Sequence, residues 1–251
     1  MTRILLLNPN TSAHMTERML AAAEAVAAPG TRVVPLTAPR GVPYIATHAE
    51  AQIGGAIALE MLAEHHDAAD AAILAAFGDP GLLGARELFD IPVVGMAEAA
   101  MLAALMLGRR FALVTFARAL GPWFEDCVAM HGLSGRCAGI RMLDGPVGSV
   151  GTVAEDKEGL LVDLARRAVE EDEADVVILA GAPLAGLAGR VAERIPVPVV
   201  DPIAAALKMA EALAALRPRK AAAGTFRRPA PKPTVGLPSA LADRISHRDR
   251  T

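Results

Sequence analysis

The chain has 251 residues, and 53% of them are apolar, which is enough to build the core of one large or two small α/β domains. The formal charge of -3 is small and spread out, which argues against a surface for nucleic acid or an acidic membrane. We therefore expect a soluble, cytoplasmic protein that takes a small neutral or anionic ligand.

The two cysteines, Cys127 and Cys137, cannot support a disulfide scaffold. Neither stands in a CxxC or another metal-ligand spacing, so we expect no metal. The first residues lack the pattern of a signal peptide, and no apolar run reaches the roughly 18 to 20 residues of a membrane span.

The first predicted strand covers residues 4–7, and polar residues follow it directly. Asn8, Asn10, Thr11 and Ser12 open a helix there, so their side chains and free backbone amides could hold a carboxylate or an imide oxygen. One of them could equally be a helix cap, and both roles can hold together. We expect Asn8, Asn10 and Thr11 to contact the ligand.

The second predicted helix begins at a capping box formed by Thr47 and Glu50. Tyr44 and His48 lie on the segment that enters it, and we expect Tyr44 to contact the ligand. A histidine near a cleft could carry a proton, which makes His48 a candidate catalytic residue. An isolated histidine is more commonly a surface residue, so this alternative stays open.

The next strand is predicted over residues 71–76, and the turn Phe77-Gly78-Asp79-Pro80-Gly81 follows it. Asp79 could orient a ligand N–H or act as a base if burial raised its pKa. An aspartate before a proline at a helix start is also a typical N-cap, and this structural role is favoured.

A further strand over residues 111–114 leads to Thr115, Phe116 and Arg118. The Thr115 hydroxyl could donate to a bound carboxylate or carbonyl. Arg118 could supply positive charge, or be a solvated helix residue.

The chain contains an internal repeat. Residues 47–89 align without a gap on residues 152–194, at an offset of 105 residues. Thr47 and Glu50 match Thr152 and Glu155, so a second capping box is predicted there. Strands that alternate with helices indicate parallel βαβ units.

We therefore predict an α/β fold with two homologous parallel-sheet halves, related by a pseudo-twofold axis. The first half covers residues 1–106, with a terminal helix that could cross over, and the second covers 107–215. Ligands of parallel sheets bind beyond the carboxyl ends of the strands, so the site is expected in the cleft between the halves. The predicted walls include Ala76, Phe77, Gly78, Thr115, Phe116, Gly181, Ala182 and Pro183.

The segment 216–251 differs from both halves, because it is rich in Arg, Lys and Pro and has little periodicity. It could be an anion-binding arm or a contact with another subunit. A solvated strap over the surface, partly disordered, is the favoured interpretation.

Several collinear motifs resemble the aspartate/glutamate/hydantoin racemase superfamily, and within it the hydantoin and allantoin racemase branch. They are residues 7–12, 76–82, 92–95, 98–100, 114–115 and 186–188, spread over nearly the whole chain. The resemblance implies a cofactor-independent isomerase that forms a homo-oligomer. In such racemases two cysteines, one from each half, move a proton on opposite faces of the substrate.

This chain departs from that pattern at both catalytic positions, which hold Ala76 and Gly181. The resemblance therefore implies the pocket but not the two-thiol chemistry. We expect an isomerase-like enzyme that binds a small hydantoin, allantoin or amino-acid derivative, with Asp79 and His48 as candidate catalytic groups. A ring-opening hydrolase, a lyase, a decarboxylase or a non-catalytic binding protein remain alternatives.

Overall fold

The computed structural model describes residues 1–145 and 148–250, and Thr251, the last residue of the predicted tail, lies outside them. The strands of this part are β1 (Thr2–Asn8), β2 (Thr31–Thr37), β3 (Ala71–Leu74), β4 (Val93–Gly95), β5 (Phe111–Thr115), β6 (Cys137–Met142), β7 (Val176–Leu179) and β8 (Val199–Val200). Its α-helices are α1 (Ala13–Glu24), α2 (His48–His65), α3 (Leu82–Leu88), α4 (Met96–Leu107), α5 (Gly121–Met130), α6 (Val153–Asp156), α7 (Glu158–Asp172), α8 (Leu187–Val191), α9 (Pro202–Leu216) and α10 (Ser239–Ser246).

The strands form two parallel sheets of the same order. The first sheet runs β2-β1-β3-β4 and the second runs β6-β5-β7-β8. Ile4 of β1 lies opposite Ala71 of β3, and Phe111 of β5 lies opposite Val176 of β7. This architecture confirms the predicted α/β fold with two homologous parallel-sheet halves.

The inner strands are buried on both faces because helices cover both sides of each sheet. Residues 4–7 of β1, and all of β3, β5 and β7, are almost completely inaccessible to solvent. Strands buried on both faces have continuous apolar sequences rather than alternating apolar and polar residues, and these strands have such sequences.

The last helix of each half packs on the sheet of the other half. Helix α4 contacts β5, β7 and β8 of the second sheet, and α9 contacts β1, β3 and β4 of the first. This exchange holds the two sheets together. The predicted boundaries after residues 106 and 215 stay predictions. No helix in the described ranges is long and apolar enough to cross a membrane.

The two predicted capping boxes have different outcomes. Thr47 accepts a hydrogen bond from the Glu50 backbone, and the Glu50 side chain accepts from the Thr47 backbone, so the first box is confirmed. The second prediction is wrong, because the Thr152 hydroxyl donates to Asp156 instead. Glu155 is bound by Arg18 of the first half, at 3.0 Å, and helix α6 ends after one turn.

The C-terminal segment ends in a helix that packs against the first half. Helix α10 contacts α2 and buries Leu241 together with Arg244. The Arg244 guanidinium lies 5.3 Å from the Phe89 ring centroid, and pairs with Asp90 at 3.0 Å. These contacts contradict the expectation of a solvated strap for the part of the segment that forms α10. The basic composition gave no sign of this packed helix.

Candidate functional site

A small cavity lies between the two halves, beyond the carboxyl ends of the inner strands. Its volume is about 20 Å³, and Ala76 of the first half and Gly181 of the second border it together. We call it the central cavity. The residues that line it are Asn10, Tyr44, Ile45, Ala76, Phe77, Trp123, Phe124, Gly181 and Ala182.

The turn after β1 contributes one polar side chain to the central cavity. Buried Asn8 donates through Nδ2 to Asn10 Oδ1 at 3.0 Å, and the Ser12 backbone donates to the same oxygen at 2.9 Å. Asn10 therefore has its oxygen engaged, which leaves its Nδ2 group to meet a ligand. Asn8 and Thr11 do not line the cavity. Asn8 positions Asn10, and Ser12 caps α1.

The turn after β7 brings Gly181 close to Thr115. Gly181 has a φ of +121°, a backbone conformation that residues with a Cβ rarely adopt. A Cβ added there would lie 3.2 Å from Phe116 Cε1, 3.7 Å from Pro183 Cδ and 3.9 Å from Thr115 Oγ1. Thr115 does not line the central cavity; it is fully buried, and its hydroxyl has no hydrogen-bond partner in the part of the chain that the structure describes. An unpaired buried hydroxyl is costly, so it is suited to bind a ligand atom.

Tyr44 supplies the phenol of the central cavity, and its ring centroid lies 6.1 Å from that of Phe116. Burial, and then the negative charge of Glu50, raise the pKa of the Tyr44 hydroxyl above its usual value. The phenol is therefore protonated at neutral pH, so it is able to donate a hydrogen bond.

Asp79 is a helix cap, but of a different helix from the one expected. Its carboxylate accepts from the backbones of Ala97 and Glu98 at the start of α4, both at 2.8 Å. Helix α3 instead begins after Gly81 without a side-chain cap, and Asp79 itself has a left-handed φ of 51°. The carboxylate thus ties the turn after β3 to the helix that crosses between the halves.

A buried charge network surrounds Asp79. His131 Nε2 lies 3.0 Å from Asp79 Oδ2, and His131 Nδ1 lies 3.5 Å from Glu98 Oε1. Burial lowers the pKa of His131, but its bonds to the two carboxylates outweigh that effect and raise the pKa to about 9. Burial likewise raises the pKa of Glu98, yet hydrogen bonds from His131 and Arg86 bring it down to about 2.

A second, larger pocket of about 440 Å³ shares Trp123 with the central cavity as a lining residue, and we call it the outer pocket. Its lining residues are His48, Ala51, Gln52, Gly55, Ala56, Leu59, Gly78, Asp79, Pro80, Gly81, Trp123, Asp126, Cys127 and Met130. His48 is about half exposed here and pairs with Asp126 at 2.8 Å. The structure therefore brings His48 and Asp79 to the outer pocket rather than to the central cavity.

Three side chains at or near these cavities were not predicted from the sequence. Trp123 and Phe124 of α5 form walls of the central cavity, and His131 contacts Asp79. Trp123 is the only tryptophan of the chain, which was an available signal. It packs where a Gly78 side chain would be, since a Cβ there would lie 2.3 Å from the indole ring.

Comparisons with known proteins agree on one family. A family model described as Asp/Glu/Hydantoin racemase matches residues 4–210. A hydantoin racemase of Paenarthrobacter aurescens is 34% identical over 235 residues, 92% of this chain and 98% of that protein. The structure of an allantoin racemase from Klebsiella pneumoniae is 36% identical, with a TM-score of 0.90, and covers 96% of this chain and 99% of its own. The crystal structure of an allantoin racemase from Pseudomonas fluorescens is 34% identical, with a TM-score of 0.86, and covers 94% of this chain and 100% of its own.

Proposed function

The chain belongs to the Asp/Glu/hydantoin racemase family as an isomerase-like enzyme, and from that premise we propose that it exchanges the proton on the α-carbon of a small cyclic amide, such as a hydantoin or allantoin, in the central cavity. One observation carries the proposal. Ala76 and Gly181 border a single cavity, and the Thr115 hydroxyl, which has no hydrogen-bond partner among the described residues, lies 3.9 Å from where a Gly181 Cβ would be.

The polar groups around the cavity are suited to stabilise negative charge on a substrate oxygen. Removal of an α-proton next to a carbonyl places that charge on the oxygen, where fixed hydrogen-bond donors lower the barrier. Tyr44 and Thr115 offer hydroxyl donors, and Asn10 offers its Nδ2 group. In this proposal these three residues bind the carbonyl oxygens of the ring and hold the developing enolate.

The proton carrier differs from the paired cysteines that the family resemblance implies. Among the described residues that line the central cavity there is no carboxylate, imidazole or thiol. Because Ala76 and Gly181 stand where the family has its two cysteines, the space that the two sulfur atoms would fill is open to solvent. We propose that a hydroxide ion from solvent takes the α-proton on one face of the ring and becomes water, while a water molecule on the other face gives a proton to the α-carbon and becomes hydroxide.

Substrate entry requires the cavity to open. A volume of about 20 Å³ is close to that of a single water site, far below that of a cyclic amide. Trp123 separates this cavity from the outer pocket, so movement of its indole ring would join the two spaces. A hinge motion between the halves would have the same effect.

The test is proton exchange in deuterated water with an enantiopure hydantoin that bears one substituent on its α-carbon. We expect deuterium at that carbon together with loss of optical rotation, at a rate above that of the buffer. Tyr44→Phe and Thr115→Val should each slow exchange by about a hundredfold to a thousandfold, the usual range for a lost oxyanion donor.

Thr225→Val is the matched control for Thr115→Val, because Thr225 is exposed in the C-terminal segment 216–251. It should exchange at the rate of the unmodified protein. Ring opening or decarboxylation without α-carbon exchange would contradict the proposal, and so would Thr115→Val with an unchanged rate.

We propose a homo-oligomer as well, supported by the apolar residues that α4 leaves exposed, Leu102, Met106 and Leu107. Light scattering coupled to size exclusion would test it, and a monomer at micromolar concentration would contradict it. A cytoplasmic location is proposed because Cys127 and Cys137 are both free thiols.

A further inference from the structure

Three metal-binding side chains converge at the inner end of the outer pocket. One ligand atom from each of Asp79, Cys127 and His131 lies within 4.8 Å of the other two. Asp79 Oδ2 and His131 Nε2 are already 3.0 Å apart. Ligand atoms around a tetrahedral zinc ion are separated by about 3.3 to 3.7 Å, given bonds of about 2.0 to 2.3 Å. Small side-chain movements would therefore allow one ion to bind all three.

The residue types and their spacing suit a zinc-type ion. Cys127 and His131 are four residues apart at the end of α5, which places both on one side of the helix. Asp79 comes from the turn after β3 in the other half. Thiolate, imidazole and carboxylate are the three ligand types that zinc takes in proteins.

The groups behind these side chains are arranged as supporting partners of metal ligands. A histidine that binds a metal through one ring nitrogen usually donates its other N–H to a carboxylate. His131 Nδ1 faces Glu98 Oε1 at 3.5 Å, and Arg86 holds that glutamate from the other side. Burial, and then the negative charges of Asp79 and Glu98, raise the pKa of the Cys127 thiol, so its proton would leave only as an ion takes its place.

Asp79 can accept a metal without losing its structural role. Its two oxygens receive the backbone N–H groups of Ala97 and Glu98, one on each oxygen. A carboxylate has about four acceptor positions, so Oδ2 retains one for an ion in place of the His131 proton. The helix start would then orient the ligand, as it now orients the carboxylate.

We propose that Asp79, Cys127 and His131 bind one divalent transition-metal ion of the zinc type, with a coordination position open to the outer pocket. Asp79 and Cys127 both line that pocket, so the fourth ligand would be water or a small molecule from it. Binding releases two protons to solvent, one from the Cys127 thiol and one from His131 Nε2. The site is separate from the central cavity and does not depend on the proposed function.

The test is direct metal binding to the full chain after treatment with a chelator. Zn²⁺ alone is titrated by calorimetry, and Co²⁺ alone by absorption, where a thiolate ligand gives a charge-transfer band in the near ultraviolet. We expect one ion per chain and that band. Cys127→Ser should remove the band, and His131→Ala should weaken Zn²⁺ binding by at least about tenfold.

Cys137→Ser is the matched control, because Cys137 is the other cysteine and lies on β6, outside the cluster. It should bind both ions like the unmodified chain. Circular dichroism of each variant establishes that it is folded, and Cys127→Ser replaces only one atom, so it tests the site even if His131→Ala does not fold. No stoichiometric ion, or a cobalt band that persists in Cys127→Ser, would overturn the proposal.

Discussion

Replacement of Gly181 by a residue with a side chain should destabilise the protein. The backbone φ of +121° at this position is rarely adopted by residues with a Cβ. Such strain costs on the order of 1 to 3 kcal/mol. A Cβ at this position would also lie 3.2 Å from Phe116 Cε1, so that ring would have to shift by a few tenths of an ångström.

For a chain of this size, each kcal/mol lowers the melting temperature by about 2 to 4 °C. Gly181→Ala and Gly181→Cys should therefore melt about 2 to 12 °C below the unmodified protein when unfolding is followed by circular dichroism. Ala76→Cys should have a smaller effect, because it adds a single atom at the wall of the central cavity.

Gly189→Ala is a suitable control, because Gly189 lies in α8, has an ordinary φ and has open space where its Cβ would be. Alanine is favoured over glycine in a helix, so this variant should be as stable as the unmodified protein or more so. Gly181→Ala with an unchanged melting temperature would refute the argument that this backbone requires glycine.

Three further changes test other parts of the structure. Thr47→Ala should lower the free energy of unfolding in urea by about 1 kcal/mol, because the Thr47 side chain caps a helix. Thr152→Ala should lower it much less, because the Thr152 side chain caps none. Equal losses of unfolding free energy would contradict this difference. Burial raises the pKa of Asp249, but hydrogen bonds from two arginines lower it to about 2 from 3.8. The stabilisation from the Asp249 carboxylate is thus present above pH 3.8 and lost as the pH falls toward about 2. Asp249→Asn should make the C-terminal segment 216–251 more accessible to protease already at neutral pH, and unchanged cleavage would refute a stabilising role for its bonds to Arg228 and Arg244. Gly78→Ala should displace Trp123 and shift its fluorescence, because a Cβ would lie 2.3 Å from the indole, and an unaltered spectrum would contradict that contact.

The fold was predictable because it was present twice in the sequence. The repeat at an offset of 105 residues and the alternation of apolar strands with capped helices indicated two parallel-sheet halves. The family resemblance drawn from the motifs is confirmed by the comparisons. Both depend on local patterns, which a sequence carries directly.

Contacts between residues distant in sequence were not predictable from these local patterns. Glu155 matches Glu50 in the repeat, but Arg18 of the other half binds it, and the second capping box is lost. The Asp79 carboxylate accepts hydrogen bonds from backbone N–H groups at the start of α4 rather than at the start of α3, the helix that follows it in sequence. In each case a partner distant in sequence replaced the local one.

The candidate site was predictable only in part, for the same reason. Asn10, Tyr44, Ala76 and Gly181 follow predicted strands or lead into a predicted helix, and they line one cavity. Their roles toward a substrate stay predictions. The cluster of Asp79, Cys127 and His131 was not predicted because its members belong to both halves, although the four-residue spacing between Cys127 and His131 was visible in the sequence.

A crystal structure with an enantiopure hydantoin tests the central claim most directly. The account predicts a ring bound between Ala76 and Gly181, with a carbonyl oxygen within hydrogen-bond distance of Thr115 Oγ1. A ring confined to the outer pocket, beyond Trp123, would contradict it.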